Sequence, residues 1–99
     1  MTVNEIAWLK VKSAQRAAFV KEAQTFAKTL ADDGGCHHIA MLKGVENPDS
    51  FLFVITWDSR DAHKAFRVSD RGRQAISTLV SYLVEPPTST HYESLVLPG

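Results

Sequence analysis

The chain has 99 residues, 44% of them apolar and 22% charged, and its eleven basic and eleven acidic side chains cancel to a net charge of zero. That length supports one core, so a single domain spanning residues 1–99 is expected. No basic cluster suited to nucleic acid is present, and no apolar run approaches the roughly 20 residues of a membrane span. One cysteine, Cys36, precludes an internal disulfide, and the N-terminal stretch lacks the apolar core of a secretion signal. A cytoplasmic location with a reduced thiol is therefore expected.

Residues 6–11 (IAWLKV) read as a first strand, with Ala7, Leu9 and Val11 on one face and Ile6, Trp8 and Lys10 on the other. A helix comes next. Phe19, Val20, Ala23, Phe26, Ala27 and Leu30 recur at three- and four-residue steps and form one apolar stripe. Ser13 is the expected N-cap, and Gly34 or Gly35 the expected stop, where a positive φ costs a glycine nothing. Residues 36–44 (CHHIAMLKG) and 51–57 (FLFVITW) read as a hairpin of two strands around the breakers Asn47, Pro48 and Asp49. Residues 58–66 open a second helical region, capped by Asp58 or Ser59. Ser69 can cap a fresh start, and residues 73–83 carry Ile76, Leu79, Val80 and Leu83 on one stripe. After the Pro86–Pro87 break, residues 90–97 alternate as a last strand.

The order β-α-β-β-α-β predicts a ferredoxin-like α+β fold, an antiparallel sheet with its helices on one face. Such a sheet should alternate apolar and polar residues, yet the third strand is apolar on both sides: Phe51, Phe53, Ile55 and Trp57 against Leu52 and Val54. The uncovered face predicts a homodimer with sheets packed together as a dimeric α/β barrel. A charge at Phe53 or Trp8 is expected to weaken that pairing.

Cys36, His37 and His38 are the residue types that bind zinc and copper, but no spaced partner motif accompanies them, so no metal site is expected. Strict alternation would place Cys36 and His38 on one face and His37 on the other.

The segments WLKVKSAQRAAFVKEA, GGCHHIAMLKGVENPDSFLFVITWDSRDAHKAF and PPTSTHYESL resemble the antibiotic biosynthesis monooxygenase family of dimeric α/β-barrel proteins. The resemblance implies a pocket between sheet and helices. It also implies an oxygenase that needs no metal, flavin or other cofactor, because a small aromatic or polyketide-like quinol or phenol supplies the electrons to dioxygen. A haem-degrading branch carries asparagine, tryptophan and histidine at positions that fall here on Ala7, Phe66 and Ile76, so haem is disfavoured. Many members place a histidine nine residues after the tryptophan of the third strand; that position is Phe66. His63 lies one helical turn earlier on nearly the same face and is the first candidate for the catalytic base, with His38 in reserve. Trp57, Phe66, Tyr82 and Arg67 are the candidate substrate contacts. Three of them have a plainer alternative: Trp57 as core, Tyr82 as amphipathic cover, Arg67 as part of a solvated face with Arg71 and Arg73. A second class of function, a non-catalytic ligand-binding or stress-associated barrel, is left open by the absence of histidine at Phe66.

Overall fold

The computed structural model describes residues 1–98. Strand β1 (Val3–Lys10) leads through a short 3-10 turn (Ser13–Gln15) into helix α1 (Arg16–Ala31). The β2–β3 hairpin (Cys36–Lys43, Ser50–Trp57) is followed by helices α2 (Arg60–Val68) and α3 (Asp70–Val80) and by strand β4 (Thr88–Tyr92). The sheet is antiparallel with order β2-β3-β1-β4, which is the ferredoxin-like topology expected from the sequence.

The helices cover one face. Phe51, Phe53, Ile55 and Trp57 of β3 and Ala7 and Leu9 of β1 are buried there. From α1, Phe19 packs on Phe51 and Phe26 stacks on Phe53 at centroid distances of 5.0 and 5.6 Å. Phe66 of α2 lies 5.5 Å from Trp57. Phe53 is thus a core residue, 3% exposed, and a charge there would break the core rather than a dimer contact. Trp8 does lie on the opposite face, 43% exposed, in line with Ile6 and across from Leu52.

Other local expectations are also revised. Ser13 does not cap α1; its hydroxyl donates to Asp49 in the β2–β3 turn. Asp49 also lies 2.8 Å from Arg16 Nε in an ion pair off hydrogen-bond geometry, so the turn is tied to the start of α1. Gly35 does not adopt a positive φ. It is small because a methyl there would press on Ala62 of α2, while its carbonyl accepts from Asp58 N at 2.7 Å. Ser59, rather than Asp58, caps α2 by accepting from Ala62 N at 3.0 Å.

Ser69 ends α2 and begins α3, its hydroxyl accepting from Gly72 N at 3.0 Å. Gly72 is required by this corner, since a side chain would run into the Phe66 carbonyl. The last strand stops at Tyr92, not at residue 97. Tyr92 pairs with Asn4 near the start of β1, so β1 has almost no length left to pair with residues 93–97. Leu95, Val96 and Leu97 are exposed.

The β2 register slips between Cys36, opposite Trp57, and His38, opposite Thr56. His37 is the extra residue of this β-bulge, so Cys36 and His38 do not share a face as strict alternation predicts.

Candidate active site

Glu5 takes the next inward position after Ala7 and Leu9, counting back along β1, and is only 7% exposed. A carboxylate among apolar neighbours demands partners. Trp57 Nε1 donates to Glu5 Oε1 at 2.9 Å, across the β1–β3 pairing. His63, one turn into α2 and 6% exposed, stacks on the Trp57 ring at 4.8 Å and 16°. Its Nε2 lies 3.3 Å from the same Glu5 oxygen. Its other nitrogen, Nδ1, meets Nε2 of His91 at 2.7 Å. His91 arrives from β4 because register sets it directly opposite Glu5. Three strands and a helix therefore assemble a row Trp57–Glu5–His63–His91 from residues far apart in sequence.

Burial pushes His63 below the ordinary imidazole value of 6.5; Glu5 opposes this, and His91 and Arg67 add to it. The ring is accordingly neutral near neutrality and carries one proton. Facing a carboxylate, that proton belongs on Nε2. Nδ1 is then the acceptor, and His91 donates to it.

A cavity of about 230 Å³ opens beside this row, between the sheet and the helices. Its walls are apolar, with Phe26, Phe53, Trp57, Phe66 and Leu79 among them, and its polar groups include Glu5, His63, Arg67, Thr88 and Ser89. Of the candidates named from sequence, His63, Trp57, Phe66 and Arg67 are brought together here. Tyr82 and His38 are not: Tyr82 packs edge-on against Phe19 at 6.3 Å, and His38 is exposed on the edge strand β2. His37 pairs with Asp58 at 3.2 Å. Burial raises the Cys36 thiol above its usual range. Among the described residues no group of three or more His, Cys, Asp or Glu side chains is arranged to hold a metal ion. His63 turns opposite nitrogens to Glu5 and His91, so one ion could not bind all three.

Sequence reading missed Glu5 and His91. Starting the first strand at Ile6 cut Glu5 off. Counting two residues back from Ala7 would have flagged a carboxylate on the buried face.

A four-stranded antiparallel sheet with helices on one face, and an apolar cavity beside a buried carboxylate and imidazole, defines a small α+β protein of the ferredoxin-like class. Residues 2–78 match the sequence profile of the antibiotic biosynthesis monooxygenases, and the chain belongs to that family. Solved structures of similar fold include a protein of Bordetella bronchiseptica named for the same family, with 24% identity, TM-score 0.89 and coverage of 96% of this chain and 98% of that one. Another, from Nitrosomonas europaea and also named for the family, has 17% identity, TM-score 0.85 and coverage of 99% and 94%. SnoaB of Streptomyces nogalater, described as a cofactor-independent oxygenase, has 16% identity, TM-score 0.85 and coverage of 99% and 98%. At these identities the likeness is one of fold. No curated protein sequence matches the chain. No helix among the described residues is long and apolar enough to cross a membrane.

Proposed function

We propose that the protein is a cofactor-independent monooxygenase acting on a small hydroxylated aromatic compound, a quinol or phenol, inside the cavity between sheet and helices. One observation carries this reading. An apolar cavity is lined by a carboxylate and an imidazole that folding alone gives no reason to bury, and buried, paired titratable groups of this kind concentrate at functional sites. Family membership and the fold shared with SnoaB support it.

In such chemistry the substrate is its own reductant. Removing a phenolic proton raises the electron density of the ring. A ring C–H carbon conjugated with the hydroxyl then becomes C=O, and the phenolic C–O becomes the second C=O, as one oxygen atom of O2 enters and the other leaves as water with the C–H and O–H hydrogens. The protein has to exclude bulk water, hold the ring, and accept the proton near an apolar wall. The aromatic walls formed by Phe26, Phe53, Trp57 and Phe66 serve the first two needs, and the Glu5–His63 pair serves the third. Arg67 at the cavity wall offers a cation to an oxyanion. At about 230 Å³ the space is below the common range for ligand pockets, and one or two fused rings fit it better than four.

The chain works, on this reading, as one domain and as a homodimer. Ile6, Trp8, Leu42, Leu52 and Val54 form an apolar outer face on the sheet. A second copy of the same face would cover it.

The experiment is oxygen uptake with a panel of one- and two-ring quinols and naphthols, without added metal or flavin. Turnover lost by roughly 10²-fold or more on removing the proton acceptor supports the reading. Tight binding of the same compounds with no oxygen consumed would turn it into a ligand-binding barrel.

A further inference from the structure

We infer that Glu5, and not a histidine, is the group that takes the proton of a bound hydroxyarene, while His63 and His91 behind it are positioning residues. The ligand class rests on the oxygenase reading above.

A neutral imidazole has one lone-pair nitrogen. In His63 that nitrogen is Nδ1, and it is already engaged by His91 at 2.7 Å. The opposite tautomer would aim the Nε2 lone pair at a carboxylate oxygen 3.3 Å away, acceptor against acceptor. Either way His63 has no acceptor for a substrate. Nor does His91 border the cavity; it lies in a separate surface depression with Arg60, Tyr92 and Glu93.

Glu5 differs. Both of its contacts, Trp57 Nε1 and His63 Nε2, fall on Oε1. Among the described residues Oε2 makes no hydrogen bond and is not sealed from solvent, and Glu5 is one of the residues that line the cavity. The carboxylate is braced on one oxygen and open on the other. His91 holds His63, and His63 holds Glu5, at the angle that leaves Oε2 toward the ligand.

The step balances simply. The phenolic O–H bond breaks, an Oε2–H bond forms, and the electron pair stays on the phenolic oxygen. Charge in the cavity moves but does not increase, because the carboxylate is neutralised as the phenolate appears. A phenol and a carboxylic acid differ by roughly six pK units at reference values, so the transfer is uphill. A millionfold penalty on a frequency factor of about 6 × 10¹² s⁻¹ sets a ceiling of roughly 6 × 10⁶ s⁻¹ on the transfer step, above ordinary turnover.

The test is equilibrium binding to the full chain of 1-naphthol and of 1-methoxynaphthalene, which has the same rings but no proton to give. Wild type should prefer the naphthol by roughly ten- to a hundredfold, the range for a hydrogen bond to a charged acceptor. Glu5→Gln should cut that preference by about tenfold. Should Glu5→Gln fail to fold, Glu5→Asp, which withdraws the carboxylate by one methylene, is read the same way. His91→Ala should also lower the preference, and His91→Gln, which restores an N–H donor, should recover it; a merely structural role would not follow the donor. Equal affinity for the two compounds in wild type overturns the inference and leaves the oxygenase reading standing. So does a preference that survives unchanged in a folded Glu5 variant. A preference lost with Glu5 supports the assignment even if wild type consumes no oxygen, in which case the oxygenase reading alone fails. Binding of neither compound overturns both.

Discussion

Trp57→Phe isolates the bond that holds the buried carboxylate. Phenylalanine keeps a ring against His63 and Phe66 but removes the N–H that donates to Glu5 Oε1 at 2.9 Å. A hydrogen bond to a charged group contributes about 1.5–3 kcal/mol. Trp57 is 1% exposed, so the lost ring also leaves a void worth about another 1 kcal/mol. The variant should therefore be destabilised by about 2.5–4 kcal/mol in urea unfolding followed by far-ultraviolet circular dichroism. Much of that loss should vanish when Glu5 is no longer charged. In a double-mutant cycle with Glu5→Gln, the coupling energy should be at least about 1 kcal/mol. Additive losses, with coupling near zero, would refute the claim that Trp57 braces Glu5 and would leave Trp57 as packing alone.

Three further outcomes are expected. Trp8→Glu, on the outer sheet face, should shift the protein toward an ~11 kDa particle or toward aggregation in light scattering at micromolar concentration, whereas an unaltered dimer, or a wild type that is already monomeric, would remove the outer face as the interface. Gly72→Ala drives a methyl into the Phe66 carbonyl at the α2–α3 corner and should lower Tm by on the order of 10 °C; an unchanged melt would mean that the corner opens freely. His63 is held below 6.5, so its contribution to stability is complete above about pH 6.5 and declines as the pH falls, because the unfolded chain takes up a proton that the folded one resists. Between about pH 7.5 and pH 5.5 wild type should lose more stability than His63→Gln, and an equal loss in both would contradict the burial effect.

The parts of the fold legible in the sequence are those set by period and by breakers. The stripe from Phe19 to Leu30 buries as expected, and the apolar run of β3 lands in the centre of the sheet. Features set by long-range geometry were not legible. The bulge at His37 depends on how β2 meets β3, and alternation counted along β2 alone gives the wrong face for Cys36. Ser13 looks like a cap until the β2–β3 turn brings Asp49 to it. Residues 93–97 alternate like a strand, yet β1 has run out beside them.

The site divides in the same way. Trp57, His63, Phe66 and Arg67 are close in sequence, and a resemblance could nominate them together. Glu5 was readable only by extending the inward face of β1 through a charged residue. His91 was not readable at all, since nothing but register places it opposite Glu5.

The most direct measurement is a crystal structure of the protein soaked or grown with 1-naphthol. The rings should lie between Phe26, Phe53, Trp57 and Phe66, with the hydroxyl oxygen about 2.5–3.0 Å from Glu5 Oε2 and the His63–His91 contact kept. A ligand bound elsewhere, or held in the cavity with its hydroxyl turned away from Glu5, would contradict the assignment of Glu5 as proton acceptor.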